Sequence, residues 1–225
     1  LFLIIFVTTV NLANAEDTII KKYPDGSIYT GPLKKGLHHG VGVYSLPNGY
    51  EYNGEWVEGK IQGKGIVNLP DGSIYKGEFS LGKPSGIGKM VFLDKKKYEG
   101  EWKDGSPNGE GSLILTDGTG YKGEWLSGKR HGHGLSSYSN DSTYQGMFQS
   151  GQRNGFGILN ENSGYSYRGD WLNGQPNGQG VEEYVSGAVY IGKFKDGKRS
   201  GTGSMRYPNN EVAIGSWANG KLVSA

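Results

Sequence analysis

Polar and non-polar positions alternate over short stretches of this chain. In Tyr52-Asn-Gly54-Glu-Trp56 every second residue is Tyr, Gly or Trp, and the residues between are polar. A period of two is the side-chain period of a β-strand, so Tyr, Gly and Trp share one face and the polar residues take the other. The glycine between two aromatics removes a Cβ, which lets a ring lie flat against backbone. The run through Gly59-Lys60 reads as a tight turn, with Gly supplying a positive φ. A second strand of about six residues should begin at Gly63-Lys-Gly65, and Pro70-Asp71-Gly72 turns the chain back. The predicted unit is two short antiparallel strands.

This unit recurs every 23 residues from Tyr29 onward without insertion or deletion. The lead tyrosine stands at Tyr29, Tyr52, Tyr75, Tyr98, Tyr121, Tyr144, Tyr167 and Tyr190, and a ninth unit opens with Ala213. Four residues later come Leu33, Trp56, Phe79, Trp102, Trp125, Phe148, Trp171, Phe194 and Trp217, a column that holds all five tryptophans. Of the 41 glycines only Gly120 falls outside the repeat's glycine columns. A fixed period in this range marks a stacked or repeated architecture. Every connection is short, so the expected fold is all-β: one elongated antiparallel meander of hairpins with no helical domain. Roughly 17 strands at about 4.8 Å spacing would make a sheet about 80 Å long. Each hairpin is marginal alone, and its Tyr and Trp should be buried against those of the next.

Tyr-x-Gly-Glu-Trp-x-x-Gly-Lys-x-x-Gly-x-Gly followed by Pro-Asp-Gly resembles the MORN (membrane occupation and recognition nexus) repeat. The resemblance covers residues 29–225, about eight and a half repeats. Departures are few: Leu33 replaces the aromatic, Lys95, Asp141 and Asn210 replace the turn glycine, and Met147, Lys193 and Ser216 replace the acidic residue before the aromatic. Looser turns are expected after Asp94, Asn140 and Asn209.

The ends read differently. Residues 1–15 carry a ten-residue apolar run, Leu1 to Val10, followed by the small-x-small site Ala13-Asn14-Ala15, as in a secretory signal peptide. The chain opens on Leu without a basic region, which reads as a fragment whose start is missing; extended by further apolar residues, the run would be an uncleaved anchor. The expected location is secreted, periplasmic or cell envelope, membrane-tethered in the second case. Residues 16–28 match the second strand and turn of a unit whose first half is absent and are expected to form an N-terminal cap strand. At the other end, residues 222–225 begin a last strand or fray.

Composition narrows the function. Apolar content is low and glycine high, a balance that without the repeat would suggest disorder. Cysteine is absent, so stability comes from the array. A net charge of +2, from 24 basic and 22 acidic residues, does not indicate a nucleic-acid binder.

No catalytic constellation stands out. Gly54…Gly59-Lys60 imitates a phosphate-binding loop, as do its counterparts ending in Lys83, Lys129, Lys198 and Lys221. No Ser or Thr follows the lysine and no helix is expected, so no nucleotide is either. His38, His39, His131 and His133 lack a ligand-like setting, and no metal or cofactor is expected. The column Glu55, Glu78, Glu101, Glu124 and Asp170 reads as a solvated face pairing with neighbouring lysines. Two candidate surfaces remain. The edges of Tyr52, Trp56, Tyr75, Phe79, Tyr98, Trp102, Tyr121, Trp125, Tyr144, Phe148, Tyr167, Trp171, Tyr190 and Phe194 would line an aromatic groove for an extended peptide, a sugar chain or an acyl tail. Lys60, Lys83, Lys129, Arg130, Arg153, Lys198 and Arg199 would lie along one basic turn edge able to meet anionic headgroups.

The resemblance implies a non-catalytic scaffold or binding module. Its partners would be a protein or an anionic phospholipid membrane, with self-association through sheet edges. Two alternatives stay open: the regulatory repeats of a larger enzyme, such as a phosphatidylinositol phosphate kinase-like protein, and an envelope glycan-binding protein.

Overall fold

A computed structural model describes residues 17–225; the apolar run and the small-x-small site lie outside the described residues. The described residues form strands and turns without a helix. Nineteen strands make one antiparallel sheet, each hydrogen-bonded to its neighbour in sequence, and a two-stranded ladder stands apart. Ile19–Lys22 pairs with Ile28–Gly31 at one end, and Lys221–Ser224 pairs with Val212–Ala218 at the other. These two end strands account for the excess over the seventeen expected. The separate ladder, Leu33–Lys34 with Leu37–His38, belongs to the first repeat. There Pro32 stands where the other repeats carry a residue with an N–H, and the strand breaks at Gly31.

Strands such as Glu51–Val57 alternate exposed and buried along their length, with Tyr52, Gly54 and Trp56 buried. The partner strand, Lys60–Asn68, begins directly after the turn and is longer than expected. Trp56 pairs with Ile61 and Gly54 with Gly65, so the ladder shifts register between them. Gln62, Gly63 and Lys64 therefore face the single residue Glu55, a bulge repeated in each complete hairpin.

The bulge leaves backbone groups that need partners. The Tyr52 hydroxyl donates to the Glu55 carbonyl at 3.0 Å, and the same bond, tyrosine to the third residue on, recurs in all eight repeats. To reach it, each tyrosine ring lies across two paired glycines. A methyl on Gly54 would stand 2.4 Å from the Tyr52 hydroxyl, and one on Gly65 would stand 2.5 Å from its ring.

The aromatic column closes the layer. Tyr52 meets Trp56 of its own repeat edge-to-face at 5.4 Å and Phe79 of the next at 5.1 Å. The same contact continues without a break from Tyr29 to Trp217. Such pairs add about 0.5–1.5 kcal/mol each beyond the area they bury. Each indole N–H also donates to a glycine carbonyl 14 residues earlier, as Trp56 does to Gly42 at 3.2 Å.

The glycine-less turns are not loose. Lys95, Asp141 and Asn210 take up φ of 67°, 59° and 65° and keep the backbone hydrogen bond that Gly72 makes to Leu69. The side chains at the first turn residue, Asp94, Asn140 and Asn209, each accept an N–H two residues on and hold the turn closed.

Three outcomes follow. Gly65→Ala should destabilise the chain by about 1–3 kcal/mol in chemical denaturation, because the methyl meets a ring that cannot retreat. Lys95→Gly should raise the midpoint by the equivalent of about 0.5–1 kcal/mol, since a left-handed lysine is relieved at some entropic cost in the unfolded chain. Burial pushes the Tyr75, Tyr121 and Tyr144 phenols up to about 12, and Tyr52, Tyr98 and Tyr167 shift the same way. Unfolded tyrosine titrates near 10, so this stability is complete below pH ~10 and is lost as pH rises towards 12. Tyrosinate absorbance should therefore rise together with loss of the β signal; ionisation of all tyrosines near pH ~10 with the sheet intact would contradict it.

Candidate binding surfaces

The ring face has a roof. Nine residues after each lead tyrosine stand His38, Ile61, Pro84, Pro107, Arg130, Arg153, Pro176 and Arg199. Each opens the second strand of its hairpin beside the aromatic and lends its carbonyl to the turn glycine of the next repeat, as Ile61 does to Gly82 at 3.0 Å. Proline suits the place because only the carbonyl is used. The arginines fold inward. Arg130 lies 5.1 Å from the Phe148 ring centre, Arg153 4.2 Å from Trp171 and Arg199 4.7 Å from Trp217. His38 stacks on Tyr29 at 3.7 Å and its Nε2 bonds the Tyr23 hydroxyl; burial and then Lys21 hold its pKa below the usual value.

This placement divides the expected basic edge. Lys60, Lys83, Lys129 and Lys198 are exposed at the turns, whereas Arg130, Arg153 and Arg199 are half-buried over the rings. Glu58 and Asp196 share turns with Lys60 and Lys198, so the edge is not uniformly basic.

The expected aromatic row is not an open row of ring faces. Tyr52, Trp56, Tyr75, Phe79, Tyr98, Trp102, Tyr121, Trp125, Tyr144, Phe148, Tyr167, Trp171, Tyr190 and Phe194 are each between 0% and 8% exposed. They are packed against one another and covered by the roof. Two concavities nevertheless reach them. One, about 430 Å³, touches Tyr121 and Trp125 between Arg130 and Leu115. The other, about 480 Å³, touches Tyr167 and Trp171 between Arg153 and Glu161. They lie over the same two ring positions, two repeats apart.

Part of this surface was not anticipated. Fifteen residues after the lead tyrosine the ring face carries Tyr44, Val67, Met90, Leu113, Leu159 and Met205, but Ser136 and Glu182 break the series. Glu182 accepts from the Tyr165 hydroxyl at 2.8 Å and from the Tyr184 hydroxyl. Burial first, and this bonding next, raise both phenols. The signal was present as two polar letters in an apolar column, and it needed the structure to show that the column faces inward.

The acidic column also has a role that charge alone did not disclose. Glu55 accepts the Lys64 N–H at 2.9 Å, and Glu101, Glu124 and Asp170 do the same at their own bulges. These carboxylates cap backbone rather than pair with lysine; among the described residues the ion pairs are Lys89–Glu99 and Lys96–Asp94. On this open face a concavity of about 590 Å³ runs over Gly54, Gly65, Gly77 and Gly88, flanked by Val41, Ile66 and Ile87. Among the described residues no group of three His, Cys, Asp or Glu is placed to hold a metal ion.

The MORN repeat family matches in eight segments, residues 29–49, 52–74, 75–95, 98–120, 121–143, 144–159, 167–189 and 190–212. No curated protein matches the chain. Among solved structures, the TCP10 domain of Danio rerio CPAP is similar at 14% identity, with 88% of this chain and 94% of that one covered and a TM-score of 0.48. The TCP domain of Drosophila melanogaster SAS-4, solved with a proline-rich motif of Ana2, is similar at 13% identity over 68% of this chain and 84% of that one, with a TM-score of 0.42. At these scores neither likeness bears on a ligand. The matched segments make up most of the sequence and coincide with the hairpins, and the chain belongs to the MORN repeat family.

Proposed function

We propose that this MORN array binds an extended segment of a partner protein along its ring face, between the roof and the row of side chains beside the Pro-Asp-Gly turns. MORN arrays are generally non-catalytic repeat modules, and this reading assigns the module a surface. The observation that carries it is the pair of concavities over the same two ring positions, each with buried aromatics at its base; Arg130 borders the first, and Arg153, one repeat earlier in register, borders the second. Two repeats are four strands, about 19 Å, the reach of roughly six residues of extended peptide. Anchors at that spacing could occupy both places at once. The aromatic bases supply apolar contact and the arginines supply donors, the mixture typical of specific sites.

Phage selection of random peptides on the immobilised full chain tests this. Enriched peptides should lose about tenfold or more in affinity to Gln175→Trp, which sets an indole in the mouth of the second concavity. They should be indifferent to Lys60→Glu with Lys83→Glu on the turn edge. Failure to enrich any peptide overturns the reading. Pelleting with phosphatidylserine vesicles that fades with salt and is lost in the lysine variant would assign function to the turn edge instead.

A further inference from the structure

The two ring-face concavities differ in charge. At the second, Glu161 lines the same space as Arg153. Further along, Glu182 is bonded to Tyr184, whose ring lies under Arg199 at 5.8 Å. In both places the chain brings its own carboxylate near the roof arginine. At the first concavity it does not. Relative to Arg130, Tyr138 stands where Glu161 stands relative to Arg153, and Leu113 stands where Glu182 stands relative to Arg199. No Asp or Glu lines that space.

What lines it is a set of donors among apolar side chains. Arg130 donates one terminal nitrogen to the Gly151 carbonyl at 2.7 Å and the other to Ser136 Oγ at 3.3 Å. Ser136 is 1% exposed, and having accepted from arginine it has its own O–H left to give. Lys129 and Ser137 border the same space. A guanidinium over rings, held by neutral oxygens only, is a charged group short of its counter-ion. The serine also opens the space: Leu113 and Leu159 fill the column one repeat either side.

We propose that the Arg130–Ser136 concavity is an oxyanion subsite that takes the carboxylate of an Asp or Glu side chain from the bound partner segment. This rests on the peptide-groove reading above and gives the partner its chemistry. An aspartate or glutamate entering over Tyr121 would meet the free Arg130 N–H groups and the Ser136 hydroxyl together. It would set a carboxylate in the same space as Arg130, as Glu161 shares the second concavity with Arg153. Charge complementarity favours this occupant, since a space of about 430 Å³ with Arg130, Lys129 and two serines set among apolar side chains, and without an acid, suits one anionic side chain.

Ser136→Leu is the decisive variant, because it installs the residue that the neighbouring repeats already carry. Its thermal midpoint should equal or exceed that of the parent. Two measurements use it. Inorganic phosphate, as a bare oxyanion probe, should shift the Arg130 Nε–Hε NMR resonance in the parent and not in Ser136→Leu. Peptides selected on the parent should carry an acidic residue whose change to Asn or Gln weakens binding about tenfold or more, and this dependence should vanish in Ser136→Leu and in Arg130→Met. Peptides that bind, respond to Gln175→Trp and show no acid dependence would overturn the subsite and leave the groove standing. A phosphate shift with no peptide enrichment would overturn the peptide assignment, as would phosphatidylserine vesicles pelleting in a Ser136-dependent manner.

Discussion

Everything in this sheet is arranged around a tyrosine ring lying on two glycines. The hydroxyl must reach a carbonyl three residues on, and the bulge is what frees that carbonyl. A side chain on either glycine would lift the ring off the backbone, since a methyl there would stand only 2.2–2.9 Å from the tyrosine. Ring position then fixes where the next aromatic must stand, edge-on at about 5 Å, and that aromatic meets the following tyrosine. Hairpin geometry, bulge and ring ladder are thus one constraint seen three ways. This explains why the period tolerates no insertion: one extra residue would turn every ring to the other face.

An interior one ring thick leaves little to vary. Tyrosine, glycine and the aromatic are committed to the ladder, and Glu55, Glu101, Glu124 and Asp170 are committed to capping the bulge. Freedom is confined to the roof, to the inward column that holds Ser136 and Glu182, and to the side chains of the open face. Function in such an array is therefore sought where repeats differ rather than where they agree. The roof shows this directly: Pro84, Pro107 and Pro176 close it with apolar rings, while Arg130, Arg153 and Arg199 close it with charge.

The fold was legible because its rules are local. Period-two alternation, turn glycines and a constant repeat length each specify hairpins without reference to distant contacts, and the meander is the only way to join them. What escaped was whatever depends on the exact partner of a residue. Lys95, Asp141 and Asn210 looked like weak turns, yet the residue before each, Asp94, Asn140 or Asn209, ties the turn shut. Arg130, Arg153 and Arg199 follow lysine, glutamine and lysine in sequence and so looked like one edge; the strand turns them inward within a single residue. Glu55 and its counterparts looked solvated because spacing reveals charge but not the stray N–H beside it. The aromatic row reads as a groove wall in sequence because spacing shows a shared face but not what covers it. The rings are the interior, and surface reaches them only where a column departs from its apolar rule.

A repeat array gains a site more by subtraction than by addition. Because each repeat is stabilised chiefly by its two neighbours, weakening one position is a local expense spread over adjacent hairpins. Replacing an inward leucine by Ser136 gives up apolar burial at one place while the ring ladder on both sides runs on unbroken through Tyr121, Phe148 and Tyr144. The space so opened inherits a rigid floor and a roof arginine already held by the Gly151 carbonyl. Little ordering is left for a ligand to supply, which is the condition under which a few polar contacts become specific. The same step at Glu182 had the opposite result, since a carboxylate between two tyrosine hydroxyls fills the space it opens. Two polar residues in one column thus give one position open to solvent-borne groups and one self-satisfied position.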